Sequence, residues 1–174
     1  MNQNNHIVLL GLPGVGKTSI GSQLSSILHI EHIDIDMEIE LDKDTAISKL
    51  IDQDSEAVFR VLEKEKLKTL LRQTSPLIIS SGGGIILDNE NRELIRNQSY
   101  GIHIKCDIQE IAERIDIKVR PLLYNTNKKD QLLDLWEKRG KFYNEVSKIE
   151  VDITGLVLQK AAQKVYNNIH GESN

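Results

Sequence analysis

The fold is decided by one stretch near the start of the chain, Gly11-Leu12-Pro13-Gly14-Val15-Gly16-Lys17-Thr18. It follows the apolar run Ile7-Val8-Leu9-Leu10 and precedes a helical pattern of apolar residues over positions 16–28. A glycine-rich segment that ends in Lys-Thr between a strand and a helix is typical of the P-loop, whose backbone N–H groups surround phosphate oxygens. A simple turn would explain the glycines but not the Lys-Thr pair. The stretch therefore predicts that the chain binds a nucleoside triphosphate.

The residues of this loop have different predicted roles. Those expected to contact the nucleotide are Gly14, Val15, Gly16, Lys17, Thr18 and Ser19. We expect Lys17 to be exposed in the empty loop and to reach the outer phosphates, which makes it the first catalytic candidate. The Thr18 hydroxyl is expected to hold Mg²⁺ at the N-terminus of the helix, where the helix dipole favours anions.

The composition limits the partners that the chain can have. Its 174 residues suffice for one domain with a substantial core. The net charge of −4 and the lack of a basic stripe argue against nucleic acid as a partner. No apolar run is long enough to span a membrane, the start is not of the signal type, and the single Cys106 cannot form an intramolecular disulfide. We therefore expect a cytoplasmic monomer that acts on small molecules.

Short apolar runs alternate with amphipathic stretches along the whole chain. Strands are predicted at 6–10, 29–34, 77–80, 100–106 and 149–152. Helical patterns cover 16–28, 36–71, 89–97, 109–115, 129–145 and 156–169. This alternation after a P-loop predicts an α/β fold of three layers, α/β/α, around a central parallel sheet of about five strands. Ligands of such sheets bind beyond the carboxyl ends of the strands, so the residues after each strand are the site candidates.

Two carboxylates, Asp34 and Asp36, follow the second predicted strand. If the segment is extended, the i and i+2 spacing places both side chains on the same side, and that side faces the P-loop if this strand neighbours the first one. Beside a nucleotide and its Mg²⁺, one carboxylate can hold metal-bound water and the other can orient an acceptor hydroxyl. The alternative is a solvated acidic face, which is our prediction for Glu31, Glu38 and Glu40.

The third predicted strand is followed by Ser80-Ser81-Gly82-Gly83-Gly84. Successive glycines expose backbone N–H groups where a ligand can approach, whereas the alternative is a flexible loop. The strand ends without the Asp that many P-loop proteins use to hold Mg²⁺. Asp34 is therefore the candidate for that role.

Three arginines are candidates because of their neighbours. Arg60 lies in a helical pattern whose apolar positions are predicted to face a core, at Val58, Val61, Leu62, Leu67, Leu70 and Leu71. Arg120 precedes Pro121, which blocks helix continuation, and the segment 115–128 is predicted to be a mobile lid. Arg139 lies beside Lys138 in a further helical pattern. Taken alone, an arginine is usually a solvated surface charge, and the sequence context of each does not by itself establish a function.

Together these segments resemble the shikimate kinase family in their order and approximate spacing, over nearly the whole chain. The segments are the P-loop, Asp34-Ile35-Asp36, Glu56-Ala57-Val58-Phe59-Arg60 with Glu63, the triple glycine, Arg120-Pro121-Leu122-Leu123, and Lys138-Arg139 with Tyr143. The resemblance implies a P-loop NTPase architecture like that of nucleoside monophosphate kinases, with an acceptor-binding helical region at about 34–62. It also implies transfer of a phosphoryl group from ATP to the 3-hydroxyl of shikimate.

The resemblance implies a role for each candidate. The residues that would bind shikimate are Asp36, Arg60, Gly83 and Arg139, with the two arginines paired to its carboxylate. Arg120 would contact ATP phosphate from the lid, while Thr18 and, through water, Asp34 would hold Mg²⁺. The catalytic group would comprise Lys17, Asp36 and Arg120, with Asp36 either a general base or only an orienting group.

Two positions depart from the family pattern. The segment 114–120 is about one residue shorter than usual, which leaves open whether Arg114 stacks on adenine. Ser55 stands where a glycine commonly precedes Glu56, a change expected to affect only the turn.

Other functions fit parts of the sequence. The segments Asn127-Lys128-Lys129-Asp130 and Asp152-Ile153-Thr154-Gly155 have the form of GTPase motifs, but their order is reversed and no buried strand precedes Asn127. A gluconate kinase or a nucleoside monophosphate kinase is the main alternative, although the pair Arg60 and Arg139 suits a compact carboxylate better than a base. A non-catalytic nucleotide-binding relative is the third, and the retained P-loop and its acidic partners argue against it.

Overall fold

The computed structural model describes residues 6–115 and 127–171. Its strands are β1 (His6–Leu10), β2 (Glu31–Asp34), β3 (Leu77–Ser80), β4 (Ser99–Lys105) and β5 (Ile149–Asp152). Its helices are α1 (Lys17–Leu28), α2 (Ile35–Lys43), α3 (Ile47–Asp54), α4 (Glu56–Leu71), α5 (Asn89–Gln98), α6 (Ile108–Arg114), α7 (Lys128–Val146) and α8 (Leu158–His170), with a short 3₁₀ turn at Ile85–Leu87. Arg120 and most of the predicted lid lie outside the described residues.

The strands form one parallel sheet in the order β2-β3-β1-β4-β5. β1 lies at the centre and all five of its residues are buried. A continuous apolar run of this kind is typical of a parallel strand that is covered on both faces. The central position of β1 brings the P-loop to the middle of the carboxyl edge of the sheet.

Helices cover the sheet on both sides and complete the three layers. α1 packs against α8 and β3, while α5 packs against β4 and α7. The predicted α/β/α fold with five parallel strands is therefore confirmed. Each helix in the described ranges is too short or too polar to cross a membrane.

The charged stretch 36–71 differs from its prediction, because three helices occupy it. Asp44 ends α2 in the left-handed conformation, with φ of 48°, and its N–H bonds to Glu40 O and Leu41 O. Ser55 separates α3 from α4 with φ of 100° and ψ of 157°, a conformation that favours glycine. These two breaks fold the stretch back on itself, so that α2 and α3 both pack against α4.

The buried face of α4 also differs from its prediction. Val58 and Val61 are 41% and 61% exposed, so they do not face the core. The buried residues are Phe59, Glu63, Leu67, Leu70 and Leu71. The spacing of this face places an acid in the interior of the protein.

Candidate active site

Two cavities lie beside the P-loop, at the carboxyl edge of the sheet. The large cavity, of about 670 Å³, is lined by residues of α2, α4, the triple glycine and α7, among them Asp36, Arg60, Gly83 and Arg139. The small cavity, of about 580 Å³, is lined by P-loop residues, by α6 and by the segment after β5. Pro13 and Thr18 contribute to the large cavity, and Gly14, Val15, Gly16 and Ser19 to the small one. The P-loop thus borders both.

Lys17 begins α1 but is not exposed, so that part of the prediction is wrong. Its side chain is 6% exposed, and its Nζ donates to the carbonyls of Gly11 and Leu12, each at 2.9 Å. An ammonium group has three donors, and two of them are taken by backbone carbonyls of its own loop. Lys17 must exchange these bonds in order to reach a phosphate.

Thr18 and Asp34 are joined directly. The Thr18 hydroxyl donates to Asp34 Oδ2 at 2.6 Å. Asp34 Oδ1 accepts the N–H groups of Asp36 and Met37, because Asp34 is the N-cap of α2. Both carboxylate oxygens of Asp34 are therefore fixed by the fold, and the two predicted metal-binding residues lie next to each other.

Asp34 and Asp36 do not lie on one extended segment, so the geometric reason given for pairing them is wrong. β2 ends at Asp34 and α2 begins at Ile35, which places Asp36 in the first turn of the helix. Both carboxylates nevertheless line the large cavity. Both side chains lie at this cavity because α2 starts at the carboxyl edge of the sheet, beside the P-loop.

Arg60 is held by two carboxylates of its own helix. Its Nη2 donates to Glu56 Oε1 at 2.8 Å and its Nη1 to Glu63 Oε2 at 2.7 Å. Burial lowers the pKa of Arg60, but the ion pairs with Glu63 and Glu56 outweigh it and leave the pKa raised. The guanidinium is always charged and has five N–H donors, so it can serve these acids and a ligand carboxylate together.

Glu63 is a fully buried acid that lies behind two residues of the large cavity, Arg60 and Gly82. Its side chain is 0% exposed, and Oε1 has no hydrogen-bond partner among the described residues. Burial raises the pKa of Glu63 to about 7, while Arg60 lowers it, Asp36 raises it and Arg139 lowers it. Because this pKa lies in the neutral range, small changes around Glu63 decide whether its carboxyl is protonated. The net charge beside the large cavity changes with it.

The triple glycine lies against these charged groups. A Cβ on Gly82 would lie 2.7 Å from Glu63 Oε1, and a Cβ on Gly84 would lie 2.5 Å from Arg60 Nη2. Side chains at these positions would displace the arginine or the acid. The glycines are therefore needed for close approach, and the alternative of an unspecific flexible loop does not explain them.

Arg139 enters the large cavity from α7, opposite α4. It lies close enough to Glu63 to lower the pKa of that carboxyl. One turn later on the same helix, the buried Tyr143 donates its hydroxyl hydrogen to Gly83 O at 2.6 Å. The fold thus brings together Asp36, Arg60, Gly83 and Arg139, which are up to about a hundred positions apart in the sequence.

The small cavity is lined mostly by apolar side chains. Its walls include the apolar Ile20, Ile153, Leu156, Val157 and Leu158. Arg114 also lines it and forms an ion pair with Glu110, whose Oε2 accepts the N–H of Gly155 at 2.9 Å. This cavity can bind a flat apolar group between a guanidinium and aliphatic side chains.

The two GTPase-like segments have structural roles instead. Asn127 is the N-cap of α7, and Lys128 Nζ donates to Ile115 O at 2.7 Å. Thr154 Oγ1 accepts the N–H of Asp107 at 2.9 Å. Neither contact resembles the way in which GTPase motifs recognise a guanine base at the end of a strand.

Sequence reasoning missed two features of the site, the burial of Glu63 and the contact of Tyr143. The spacing of Phe59, Glu63, Leu67 and Leu70 on α4 is a usable signal, because these positions share one helix face. For Tyr143 no local signal exists, since its partner Gly83 is 60 positions away.

Comparison with known protein families gives a consistent result. A family model described as shikimate kinase matches residues 13–170. The bifunctional shikimate kinase/3-dehydroquinate synthase of Thermotoga maritima is 34% identical over 161 residues, which is 89% of this chain but 32% of that protein. The chain thus spans about a third of that relative. The shikimate kinase of Enterococcus faecalis is 32% identical over 166 residues, or 94% of this chain and 95% of the relative.

Comparison with solved structures also finds a shikimate kinase. The shikimate kinase from Acinetobacter baumannii in complex with shikimate matches with a TM-score of 0.91 and 28% identity, over 99% of this chain and 96% of that one. A match of this extent covers both cavities and the P-loop.

Proposed function

The chain belongs to the shikimate kinase family, and from this premise we propose how its residues carry out the reaction. The enzyme transfers the γ-phosphoryl group of ATP to the 3-hydroxyl of shikimate, giving 3-phosphoshikimate and ADP. This reaction belongs to chorismate and aromatic amino-acid biosynthesis. The residue assignments that follow are the proposal.

ATP binds with its phosphates in the P-loop and its adenine in the small cavity. The N–H groups from Gly14 to Ser19 surround the phosphates at the N-terminus of α1. The Lys17 ammonium leaves the carbonyls of Gly11 and Leu12 and moves to the phosphates, where it neutralises charge that develops in transfer. Arg114 lies against the adenine ring, a role supported by its place in the wall of the small cavity.

Shikimate binds in the large cavity. The observation that carries this assignment is that Arg60 on α4 and Arg139 on α7 line the same cavity as Thr18 of the P-loop. Two guanidinium groups pair with one carboxylate through charge-assisted bonds. Gly83 supplies backbone contacts to the ring hydroxyls. A carboxylate fixed in this way leaves one hydroxyl directed to the γ-phosphorus.

Asp36 orients that hydroxyl. It lies in the first turn of α2, beside Gly82 and the P-loop wall of the large cavity. Phosphoryl transfer depends mainly on positioning and on charge stabilisation, so an acceptor for the hydroxyl proton at this point suffices. The negative charge of Asp36 also repels the carboxylate of shikimate. The hydroxyl end of shikimate is therefore favoured over its carboxylate beside Asp36.

Thr18 and, through water, Asp34 would hold Mg²⁺ that is bound with ATP. Their oxygens are hard donors of the kind that Mg²⁺ prefers, and the two side chains already contact each other at 2.6 Å. Bound Mg²⁺ neutralises phosphate charge. The described residues include no cluster of three or more His, Cys, Asp or Glu side chains that could hold a metal ion.

Arg120 is proposed to contact ATP phosphate from a lid over residues 115–128, within one kinase domain whose acceptor region spans about 34–62. Such a lid excludes water that would otherwise hydrolyse ATP. We also propose that the enzyme acts as a monomer in the cytoplasm, on small molecules only.

The test is an acceptor panel. ADP release is measured with shikimate, the methyl ester of shikimate, gluconate and AMP, each titrated at saturating ATP. We expect turnover with shikimate, a KM for the ester raised roughly tenfold or more by loss of the charge-assisted bonds, and no saturable turnover with the others. The Lys17→Met variant serves as the background control. Efficient use of gluconate or AMP, or an ester as good as the acid, would contradict the assignment.

A further inference from the structure

We infer that Tyr143 is a positioning residue for the acceptor site, whose hydroxyl fixes the triple glycine and Arg139 relative to each other. The inference rests on the proposed function, because Gly83 and Arg139 are the groups proposed to bind shikimate. Tyr143 itself does not line the large cavity. It acts through its two neighbours.

The first neighbour is the Gly83 peptide. Tyr143 is fully buried, and its Oη donates to Gly83 O at 2.6 Å. On its other side Gly83 lies against the P-loop, since a Cβ there would be 3.0 Å from Pro13 Cδ and 3.2 Å from Pro13 N. The Gly83 peptide is therefore held between the P-loop and the tyrosine, with little freedom to move.

The second neighbour is the Arg139 guanidinium, one turn earlier on the same face of α7. Burial raises the pKa of Tyr143 to about 12, and the adjacent Arg139 opposes this by its charge and by a hydrogen bond. The hydroxyl is therefore protonated at any ordinary assay pH and can donate to Gly83 while it accepts from Arg139. One oxygen atom thus lies next to two groups that line the large cavity, Gly83 and Arg139.

The ring of Tyr143 is itself held in place. It stacks on His103 of β4 with ring centroids 5.1 Å apart, and His103 stacks in turn on Trp136 of α7 at 5.7 Å. His103 Nδ1 lies 3.1 Å from Asn144 Oδ1. The sheet therefore fixes the phenol, and the phenol fixes the loop and the arginine.

Loss of the hydroxyl should act on shikimate and leave ATP binding alone. The P-loop has its own contacts, whereas Gly83 and Arg139 would lose the bond that sets their separation. Small errors of placement reduce binding and transfer strongly when a rigid ligand contacts both groups. A ligand that contacts two misplaced groups binds more weakly.

The test is the Tyr143→Phe variant, which keeps the buried ring and removes only the hydroxyl. We expect the KM for shikimate to rise about five- to tenfold, the effect of one buried hydrogen bond, with the KM for ATP within about twofold. Tyr166→Phe is the matched control. Tyr166 lies on α8 beside His170, away from the large cavity, and this variant should leave both KM values unchanged.

Arg139→Ala, assayed in parallel, separates the possible failures. If Arg139→Ala leaves the KM for shikimate unchanged, the proposed site is wrong. If Arg139→Ala raises it and Tyr143→Phe only lowers the melting temperature, Tyr143 is structural and the inference is overturned. Equal increases in both KM values of Tyr143→Phe would overturn it as well. In the double variant we expect a smaller increase than the product of the two single effects, because both changes act through Arg139.

Discussion

The two cavities are built in opposite ways. The P-loop, which borders both, occupies eight consecutive positions and offers mainly backbone N–H groups at the start of α1. The large cavity takes its charged side chains from α2, α4 and α7 and its glycines from the end of β3. Phosphate binding is therefore a local property of the sequence. The proposed acceptor site exists only when distant elements have packed together.

The cavities also differ in how charge is balanced. Beside the large cavity Glu56 and Glu63 pair with Arg60, so the arginine that is proposed to bind the acceptor carboxylate is already partly neutralised by the protein. A ligand carboxylate must share Arg60 with these acids, and its arrival would raise the pKa of Glu63 further. The small cavity is mostly apolar and depends on shape instead. Variants should therefore affect the two cavities by different physical routes.

The largest effect is expected at Lys17, in the loop that both cavities share. Lys17→Met should lower kcat by about a hundredfold to a thousandfold, since it removes a charge that stabilises the transferred group. The loss should be similar for every acceptor. Turnover and thermal melting are measured together, with the exposed Lys160→Met as control. Near-normal turnover by a folded Lys17→Met variant would remove the loop from the mechanism.

A smaller effect is expected from Glu63, which tests the electrostatics of the large cavity. Its pKa is raised from 4.5 to about 7 in the folded state. The unfolded chain therefore releases this proton first as pH rises. The contribution of Glu63 to the free energy of unfolding is complete below pH 4.5 and is lost between pH 4.5 and about 7.

The Glu63→Gln variant lacks this titration. Its free energy of unfolding, measured by urea denaturation at several pH values, should fall less than that of the wild type over this window. The difference should be on the order of 2 kcal/mol, since one pKa unit corresponds to about 1.4 kcal/mol. Glu65→Gln, an exposed position of the same helix, is the control. Parallel pH profiles for wild type and Glu63→Gln would mean that burial does not perturb this acid.

The smallest effect is expected at Ser55, where the chain turns into the helix that carries Arg60. A serine at φ of 100° and ψ of 157° is strained, and glycine relieves that strain at the expense of a more flexible unfolded chain. Ser55→Gly should raise the free energy of unfolding by about 1 kcal/mol. Ser26→Gly, within α1, should lower it by about 0.5–1 kcal/mol. A destabilised Ser55→Gly variant would show that the turn is not strained.

The comparison of the cavities also explains what the sequence could predict. The approximate positions of the strands and of most helices, the parallel sheet and the P-loop follow from apolar periodicity and from one local motif. The structure agrees with them except in the stretch 36–71, which contains three helices. Arg60 and Arg139 were found through the resemblance to a family, because each alone resembles a surface charge. The fold then brought both to one cavity.

The errors came from contacts and burial that hydrophobicity and strand spacing alone do not predict. Lys17 was expected to be exposed, but carbonyls of its own loop bind its ammonium. Asp34 and Asp36 were paired by strand spacing, whereas a helix begins between them. On α4 the apolar residues Val58 and Val61 were assigned to the core in place of Glu63, because hydrophobicity alone does not recognise an acid that is buried next to an arginine.

Two separate cavities are proposed to bind the two substrates, and titration of both ligands into one variant from each cavity distinguishes them. Shikimate and ADP are titrated by calorimetry into the wild type, Arg139→Ala and Arg114→Ala. We expect Arg139→Ala to weaken shikimate binding roughly ten- to a hundredfold, as the loss of a charge-assisted bond implies, with ADP binding within about twofold. Arg114→Ala should weaken ADP binding and leave shikimate binding unchanged. If Arg139→Ala weakens both ligands equally, or neither, the division of the site into two cavities is wrong.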